Sequence, residues 1–240
     1  MFLLIAATLA LAGSQSVIGA ASYRHGHMLR FTKSGTFQLA VFEDLHFGEA
    51  EDTDWGPQQD VNTTRVMNAV LDSEQPQLVI LNGDLVTGEN THRENSSHYV
   101  DDIVQPLLQR GLSWASTYGN HDSDFNLSRH DILAREQTWR NSLTRQDVKA
   151  RTSGVSNYYL PVYSSDKRKA TPELLLWFFD SRGGNYYQRL DSAGNEVPQP
   201  NWVDQSVVDW FTTTRNALCT IYDHDVPSLA FVHIPVDVRI

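Results

Sequence analysis

The sequence of 240 residues contains a single cysteine, Cys219. One cysteine cannot form an internal disulfide, so this chain has no cross-linked framework and depends on a hydrophobic core for its stability. The thiol is either buried and inert or paired with a cysteine of another chain. We expect the inert thiol.

Basic residues are also few. The chain has 19 lysines and arginines against 29 aspartates and glutamates, which gives a formal net charge of −10. This balance argues against nucleic-acid and anionic-membrane partners, because both require a basic face. A phosphorylated substrate is still compatible with the charge, since bound cations can reverse the local potential.

Long apolar runs are missing after the first dozen residues, which predicts that no later segment spans a membrane. Residues 1–12 are apolar apart from Thr8, and small residues follow as far as Ala21. An apolar stretch of about a dozen residues is too short for a membrane span and is typical of a secretory signal peptide. We therefore expect residues 1–21 to be a signal peptide, with a buried N-terminal strand or helix as the alternative.

Three glycosylation sequons, at Asn62, Asn95 and Asn126, agree with secretion. Each sequon is short enough to arise by chance, so none is strong evidence alone. The sequence thus predicts a secreted glycoprotein, or one in the lumen of the secretory pathway or vacuole.

The hydrophobic pattern alternates between short apolar runs and helical periodicity, without an internal repeat. This rhythm predicts a parallel sheet covered by helices, in one domain. The predicted strands are residues 37–42, 78–81, 112–118, 158–162, 174–180 and 229–234, and the predicted helices are residues 60–74, 97–110, 127–143 and 202–213. Residues 191–200 are predicted to be a polar loop.

Three polar segments follow the first three predicted strands: Asp44-Leu45-His46, Gly83-Asp84 and Gly119-Asn120-His121-Asp122. Carboxylate, imidazole and amide groups at the ends of parallel strands can converge on one point, as metal and phosphate sites require. Taken singly, the segments are also consistent with a surface turn, a helix N-cap and a loop rich in turn formers. Their joint occurrence after successive strands favours a site.

The residue types suggest distinct roles. Asp44 and His46 are two apart, so on an ideal strand they would face the same side and could hold one ion. Gly83 permits a sharp turn, after which Asp84 could bridge two ions. Asn120 offers a neutral oxygen ligand.

His121 is a candidate general acid. Asp122 could orient its imidazole and raise its basicity.

Together, these segments resemble the first three blocks of the calcineurin-like metallophosphoesterases, with 40 residues between Asp44 and Asp84 and 36 between Asp84 and Asn120. Residues 46–49, 178–181 and 231–235 are similar to a secreted branch often labelled purple-acid-phosphatase-like. The resemblance extends from about Phe37 to the last residue. It implies a domain over residues 35–240 with an α/β/β/α sandwich fold and a dimetal site at its edge.

Carried over by position, the resemblance implies five metal ligands. Asp44 and His46 would bind a first ion, Asp84 would bridge both ions, and Asn120 and His233 would bind the second. The two ions would be Mn, Zn or Fe.

The resemblance also implies hydrolysis of a phosphate ester by a hydroxide that the two metals activate. His121 would protonate the leaving oxygen, with Asp122 behind it. The substrate would be a phosphorylated small molecule or protein.

The sequence departs from the family pattern at two places. A Gly-His-x-His block is expected after His233, but the chain ends at Ile240 without one. We therefore expect a truncated chain that lacks its last strands, or else a natural short isoform, and we do not expect His25-Gly26-His27 to replace the missing histidines. Thr87 stands where purple acid phosphatases have their iron-binding tyrosine, which predicts a colourless site.

Two hypotheses follow. The first is a secreted metal-dependent phosphatase. The second is a non-catalytic secreted protein that binds a metal or a phosphate group. The missing histidine block favours the second, and the His121-Asp122 pair favours the first, because binding alone needs no proton donor.

Overall fold

A computed structural model of the chain describes residues 28–234. The predicted signal peptide (residues 1–21), the segment His25-Gly26-His27 and residues 235–240 lie outside this range. Within the described residues the fold is mixed α/β with parallel strands, which confirms the α/β part of the prediction. Each helix within residues 28–234 is too short or too polar to span a bilayer.

The elements follow one another in this order. The strands are β1 (Leu29–Arg30), β2 (Leu39–Phe42), β3 (Leu78–Asn82), β4 (Trp114–Thr117), β5 (Tyr158–Tyr163), β6 (Pro172–Phe179), β7 (Asn185–Leu190), β8 (Glu196–Pro198) and β9 (Ser228–Val232). The helices are α1 (Trp55–Glu74), α2 (Tyr99–Gln109), α3 (Arg129–Glu136) and α4 (Gln205–Tyr222).

A three-stranded parallel sheet has the order β2-β3-β4. Its central strand, β3, is buried at all five positions, and Ile80 pairs with Val41 on one side and Ala115 on the other. Burial on both faces explains why the sequence here is a continuous apolar run without alternation. The polar segments that carry the candidate site begin where these strands end.

A second sheet has the order β1-β5-β6-β9. Strands β5 and β6 are antiparallel, whereas β1 with β5 and β6 with β9 are parallel. The strand β9 brings its last residues towards the end of the first sheet, since Asn82 Nδ2 donates to the Val232 carbonyl at 3.4 Å.

Three buried clusters define the layering. The first lies between the three-stranded sheet and helices α1, α2 and α3. The second joins the facing sides of the two sheets, where Ile80 and Ala115 pack against residues of β5 and β6. The third lies between the four-stranded sheet and α4, around Trp177. The expectation that the chain lacks the last strands of the fold is not tested by residues 28–234.

Several element boundaries differ from the sequence-based prediction for local reasons. Helix α1 begins at Trp55, before the predicted start at residue 60. Pro57 is well suited to the first helical turn, but this turn lacks the apolar periodicity from which the sequence indicates a helix. Helix α4 begins at Gln205, where the Asp204 side chain caps it by accepting from Ser206 N, and so Trp202 lies outside the helix. Helix α3 ends at Glu136, whose buried carboxylate accepts hydrogen bonds from the Trp114 indole and the Tyr118 hydroxyl.

The predicted loop over residues 191–200 contains a strand instead. Residues of β8 pair with β7 in an exposed two-stranded hairpin. Because this hairpin has no buried face, its sequence shows none of the apolar alternation from which strands are recognised.

The structure shows where the three sequon asparagines and the single cysteine lie. Asn62 lies within α1, whereas the side-chain amides of Asn95 and Asn126 donate to Glu51 and to the Thr91 carbonyl. Cys219 is a half-buried free thiol, 3.5 Å from Asp225 Oδ1. Secretion and glycosylation remain predictions.

Candidate metal centre

The first two polar segments run side by side beyond the carboxyl end of the three-stranded sheet. Asp44 N donates to the Gly83 carbonyl at 3.1 Å, and His46 N donates to the Asp84 carbonyl at 3.0 Å. The ladder continues through Phe47 N, which donates to Leu85 O. Parallel pairing of β2 with β3 therefore fixes which side chains of the two segments meet.

Three non-glycine residues at this junction have unusual backbone conformations. Asp44, His46 and Asp84 all have left-handed backbones, with φ of 53°, 51° and 48°. Strand β2 has already ended at Phe42, so the expected same-side placement of Asp44 and His46 on an ideal strand is not the reason why they meet. Their left-handed turns bring them together, and non-glycine residues hold such conformations mainly at functional sites.

Three side chains form a cluster with the chemistry of a metal site. His46 Nε2 lies 3.7 Å from Asp44 Oδ1 and 3.8 Å from Asp84 Oδ2, and one ligand atom of each residue lies within 4.8 Å of the others. Two carboxylates and one imidazole suit Mn, Zn and Fe. The donor set therefore fits a metal ion.

Thr87 orients the imidazole of His46. Its hydroxyl lies 3.0 Å from His46 Nδ1, which leaves Nε2 directed at the two carboxylates. Outer groups that fix the ring of a metal-binding histidine in this way are common at metal sites. From the sequence, Thr87 was notable only because it stands where purple acid phosphatases have a tyrosine.

His233 approaches the same carboxylate from the second sheet. Its Nε2 is 3.0 Å from Asp84 Oδ2, and its Nδ1 bonds to the Asn82 carbonyl at 2.9 Å. A Cβ on Gly83 would lie 2.6 Å from the His233 ring, so only glycine permits this approach. Burial lowers the pKa of His233, but the hydrogen bond and charge of Asp84 outweigh it and raise the pKa to about 9.

Asp84 thus stands between two imidazoles. Burial would raise the pKa of this carboxyl, but the hydrogen bonds from His233 and from the His121 backbone N–H outweigh burial and lower it. Asp84 Oδ1 accepts from His121 N at 2.8 Å, which ties the third polar segment to the second. Asn120, the preceding residue, lines a groove together with His233.

The His121 ring lies at the edge of the cluster. Its Nε2 is 4.0 Å from Asp84 Oδ2, and its centroid is 4.9 Å from that of His46. Its Nδ1 is hydrogen-bonded to Glu89, which lies in a short 3-10 helix over Gly88–Asn90. The hydrogen bond to Glu89 raises the pKa of His121 to about 9, in spite of partial burial.

Asp122 makes contacts other than those expected from the sequence. Its Oδ1 accepts from Leu85 N and Val86 N, both at 2.9 Å, and its Oδ2 accepts from Gly119 N at 2.8 Å. The partner of the His121 ring is Glu89, so the placement of Asp122 behind the imidazole is corrected. Burial, followed by the nearby charge of Asp84, raises the pKa of Asp122 to about 7.

Arg129 is a further residue that sequence reasoning missed. This buried side chain at the start of α3 donates through Nη2 to the carbonyls of Gly119, Arg182 and Gly183. Its contacts lie far apart in sequence, so no local pattern could have identified it. It fastens the Asn120 segment to the loop that follows β6.

Two further histidines, His92 and His98, follow Asp84 in the chain and have other surroundings. The His92 ring lies 3.2 Å from Asp52 Oδ2 and 3.3 Å from Glu51 Oε1, and His98 immediately precedes α2. Both therefore stay outside the site proposed below.

Comparisons with known proteins agree with this geometry. Residues 37–236 match a family model described as "Calcineurin-like phosphoesterase". The chain is 27% identical over 229 residues to "Probable inactive purple acid phosphatase 28" of Arabidopsis thaliana, a match that covers 87% of this chain and 55% of that protein. It is 28% identical over 225 residues to "Phosphatase DCR2" of Saccharomyces cerevisiae, which covers 87% of this chain and 36% of that protein.

A solved structure is also similar. The crystal structure of a dimetal phosphatase from Danio rerio superposes with a TM-score of 0.52 at 16% identity, over 83% of this chain and 70% of that one. At this identity the similarity concerns the fold alone. The chain spans about half the length, or less, of the curated relatives named above.

Proposed function

This chain belongs to the calcineurin-like phosphoesterase family, and we propose that it is a metal-dependent hydrolase of phosphate esters. The proposed substrate is a phosphorylated small molecule or protein. The proposed location is the secretory pathway or the outside of the cell, on the basis of residues 1–21.

One observation carries the proposal. The Asp84 carboxylate lies between His46 Nε2, at 3.8 Å, and His233 Nε2, at 3.0 Å, at the point where both sheets end. A carboxylate with two imidazoles close to it is suited to bridge two cations. Asp44 lies beside His46, and Asn120 shares the lining of a groove with His233, which supports the proposal that these residues are the remaining ligands.

Two metal ions are the proposed cofactors, with Mn, Zn and Fe as candidates. When bound, such cations polarise a phosphate and lower the pKa of an attacking water. Asp44 and His46 would hold one ion, Asn120 and His233 the other, and Asp84 both.

His121 is the proposed general acid. Glu89 holds its Nδ1, so the Nε2 nitrogen is the one that faces the Asp84 carboxylate, beside which the phosphate of a substrate would lie. The raised pKa favours the protonated ring, and Nε2–H would pass its proton to the leaving ester oxygen. The oxygen departs as a neutral alcohol instead of an alkoxide.

The proposal is tested by metal content and turnover of the purified chain. We expect metal that a chelator removes, and hydrolysis of p-nitrophenyl phosphate that metal restores. His121→Ala should slow the hydrolysis of an alkyl phosphate about a hundredfold, but that of p-nitrophenyl phosphate much less, because nitrophenolate leaves without a proton. Equal losses on both substrates would contradict the acid role.

A second candidate function is a binding protein without turnover. The word "inactive" in the names of three similar plant proteins favours it. This function predicts metal or phosphate binding with no hydrolysis of any ester. Two bound metals together with turnover would eliminate it.

A further inference from the structure

A groove of about 840 Å³ opens beside the candidate metal centre. We call it the indole groove; its lining residues include Asn120, Gly184, Pro200, Trp202 and His233. We propose that the indole groove binds the organic part of the phosphate ester and selects a flat, uncharged aromatic or heterocyclic group. This assignment rests on the proposed function, since it names the substrate class of the same centre.

The groove is continuous with the metal centre. Asn120 and His233, two of the proposed ligands, form part of its lining, and Trp202 belongs to the same lining. An ester whose phosphate lies at the ligands can therefore extend its organic group along the groove. The volume falls within the range of about 300–1,000 Å³ that small-molecule sites occupy.

The wall of the groove is preformed by backbone hydrogen bonds. Gly183 N donates to the Pro200 carbonyl at 2.8 Å, and Gln199 N donates to the Gly184 carbonyl at 2.7 Å. A Cβ on Gly184 would lie 2.2 Å from the Asn120 carbonyl oxygen, so the close approach of this wall to Asn120 requires glycine. A site that is already shaped loses little entropy when it binds a ligand.

Trp202 is the chemical feature that indicates the occupant. It is 61% exposed, yet its backbone is held by Arg182, whose Nε and Nη2 donate to the Trp202 carbonyl at 2.9 and 2.7 Å. The Arg182 guanidinium also lies over the indole ring, 5.8 Å from its centroid, and is itself buried and paired with Asp204. An indole that is held in place but largely exposed can stack on an aromatic ring of a ligand.

Charge argues for the same class of ligand. Among the groove-lining residues of the described chain there is no lysine, arginine, aspartate or glutamate, and His233 is the one titratable group. A second phosphate or a charged peptide side chain would lose hydration in the groove without gaining a partner. An uncharged ring loses little hydration and gains contact with Trp202, Pro198 and Pro200.

The assignment is tested by binding of two non-hydrolysable probes, phenylphosphonate and methylphosphonate, measured by calorimetry in the presence of Mn²⁺. Stacking on the indole should make the Kd for phenylphosphonate about tenfold lower than that for methylphosphonate. Trp202→Ala should abolish this preference, and Trp202→Phe should keep most of it. Trp55→Ala, which removes another exposed indole that does not line the groove, should leave the preference unchanged.

The outcomes separate this inference from the proposed function. Equal Kd values for the two phosphonates, no binding of either, or an unchanged preference in Trp202→Ala would overturn the groove assignment. If the preference is found but neither phenyl phosphate nor glycerol phosphate is hydrolysed, the hydrolase proposal fails and the groove assignment stands. If both esters are hydrolysed with no preference that depends on Trp202, the hydrolase stands and the assignment fails.

Discussion

The Nδ1 nitrogen of His121 is hydrogen-bonded to the carboxylate of Glu89, a residue 32 positions earlier in the chain. Glu89 lies on the turn after Asp84, so the segment that supplies the central carboxylate also supplies the partner of the candidate acid. This contact leaves Nε2 facing the Asp84 carboxylate and raises the pKa of His121 to about 9. Under the proposed acid role of His121, Glu89 would act on the reaction through His121, as a positioning residue.

Glu89→Gln should reduce turnover of an alkyl phosphate by about tenfold, with a smaller effect on p-nitrophenyl phosphate. Loss of the carboxylate charge lowers the pKa of His121, which is raised to about 9 in the intact chain. Since the acid works only while protonated, turnover of the alkyl ester should fall with rising pH, and the fall should begin at lower pH in the variant. The pH profile of kcat on both esters measures this.

Glu94→Gln is the matched control, because Glu94 is an exposed carboxylate in the same connecting segment. It should leave both the rates and the pH profile unchanged. A Glu89→Gln profile with an unmoved descending limb would argue that Glu89 only supports the local fold.

Metal removal should destabilise the folded chain. In the described structure the Asp84 carboxylate is paired with His233, and metal would replace the proton that this pair shares. At a metal concentration about 100 times the Kd, binding should add about 2.7 kcal/mol to the free energy of unfolding. Asp84→Asn should abolish this metal-dependent rise in Tm, and Asp209→Asn, an exposed change on α4, should keep it. A rise of equal size in Asp84→Asn would show that the metal binds elsewhere.

Much of the fold could be predicted from sequence, for a physical reason. Strand β3 is buried on both faces, and α2 buries one continuous stripe, so both leave clear hydrophobic patterns. The hairpin of β7 and β8 is exposed and leaves none. Predictability therefore follows burial, and the elements around the groove are the ones that the sequence describes least.

The candidate ligands could be chosen from sequence because they directly follow strands, but their partners could not. Thr87, Glu89 and Arg129 act through contacts 10 to 54 residues away along the chain. The sequence predicts that Asp122 contacts the ring of its neighbour His121. In the structure, the turn after Asn120 directs the Asp122 side chain at the backbone of Leu85 and Val86. Contacts between a candidate ligand and a partner elsewhere in the chain depend on the geometry of the loops, which the hydrophobic periodicity of the sequence does not encode.

Asp122→Ala should lower the free energy of unfolding by about 3 kcal/mol. Three buried backbone N–H groups, those of Leu85, Val86 and Gly119, would lose their acceptor, at roughly 1 kcal/mol each. Urea denaturation measures the change, with Asp131→Ala as the comparison, since Asp131 lies near the surface of α3. Unchanged stability with lost turnover would instead give Asp122 a direct role in the reaction.

Stability at neutral pH should improve when Asp60 is replaced by asparagine. Burial is the main cause that raises the pKa of this carboxyl from 3.8 to about 6, against the hydrogen bond from Gly48 N that favours the charged form. Between pH 3.8 and about pH 6 the folded chain therefore binds more protons than the unfolded chain, so the Asp60 carboxyl lowers the free energy of unfolding as pH rises through this range.

An asparagine oxygen can still accept from Gly48 N, but it carries no charge to desolvate. After allowance for solvent screening, Asp60→Asn should gain about 1–2 kcal/mol at pH 7.5 and nothing at pH 3.5. Urea unfolding of both proteins at the two pH values checks this, and a difference that does not vary with pH would contradict the linkage.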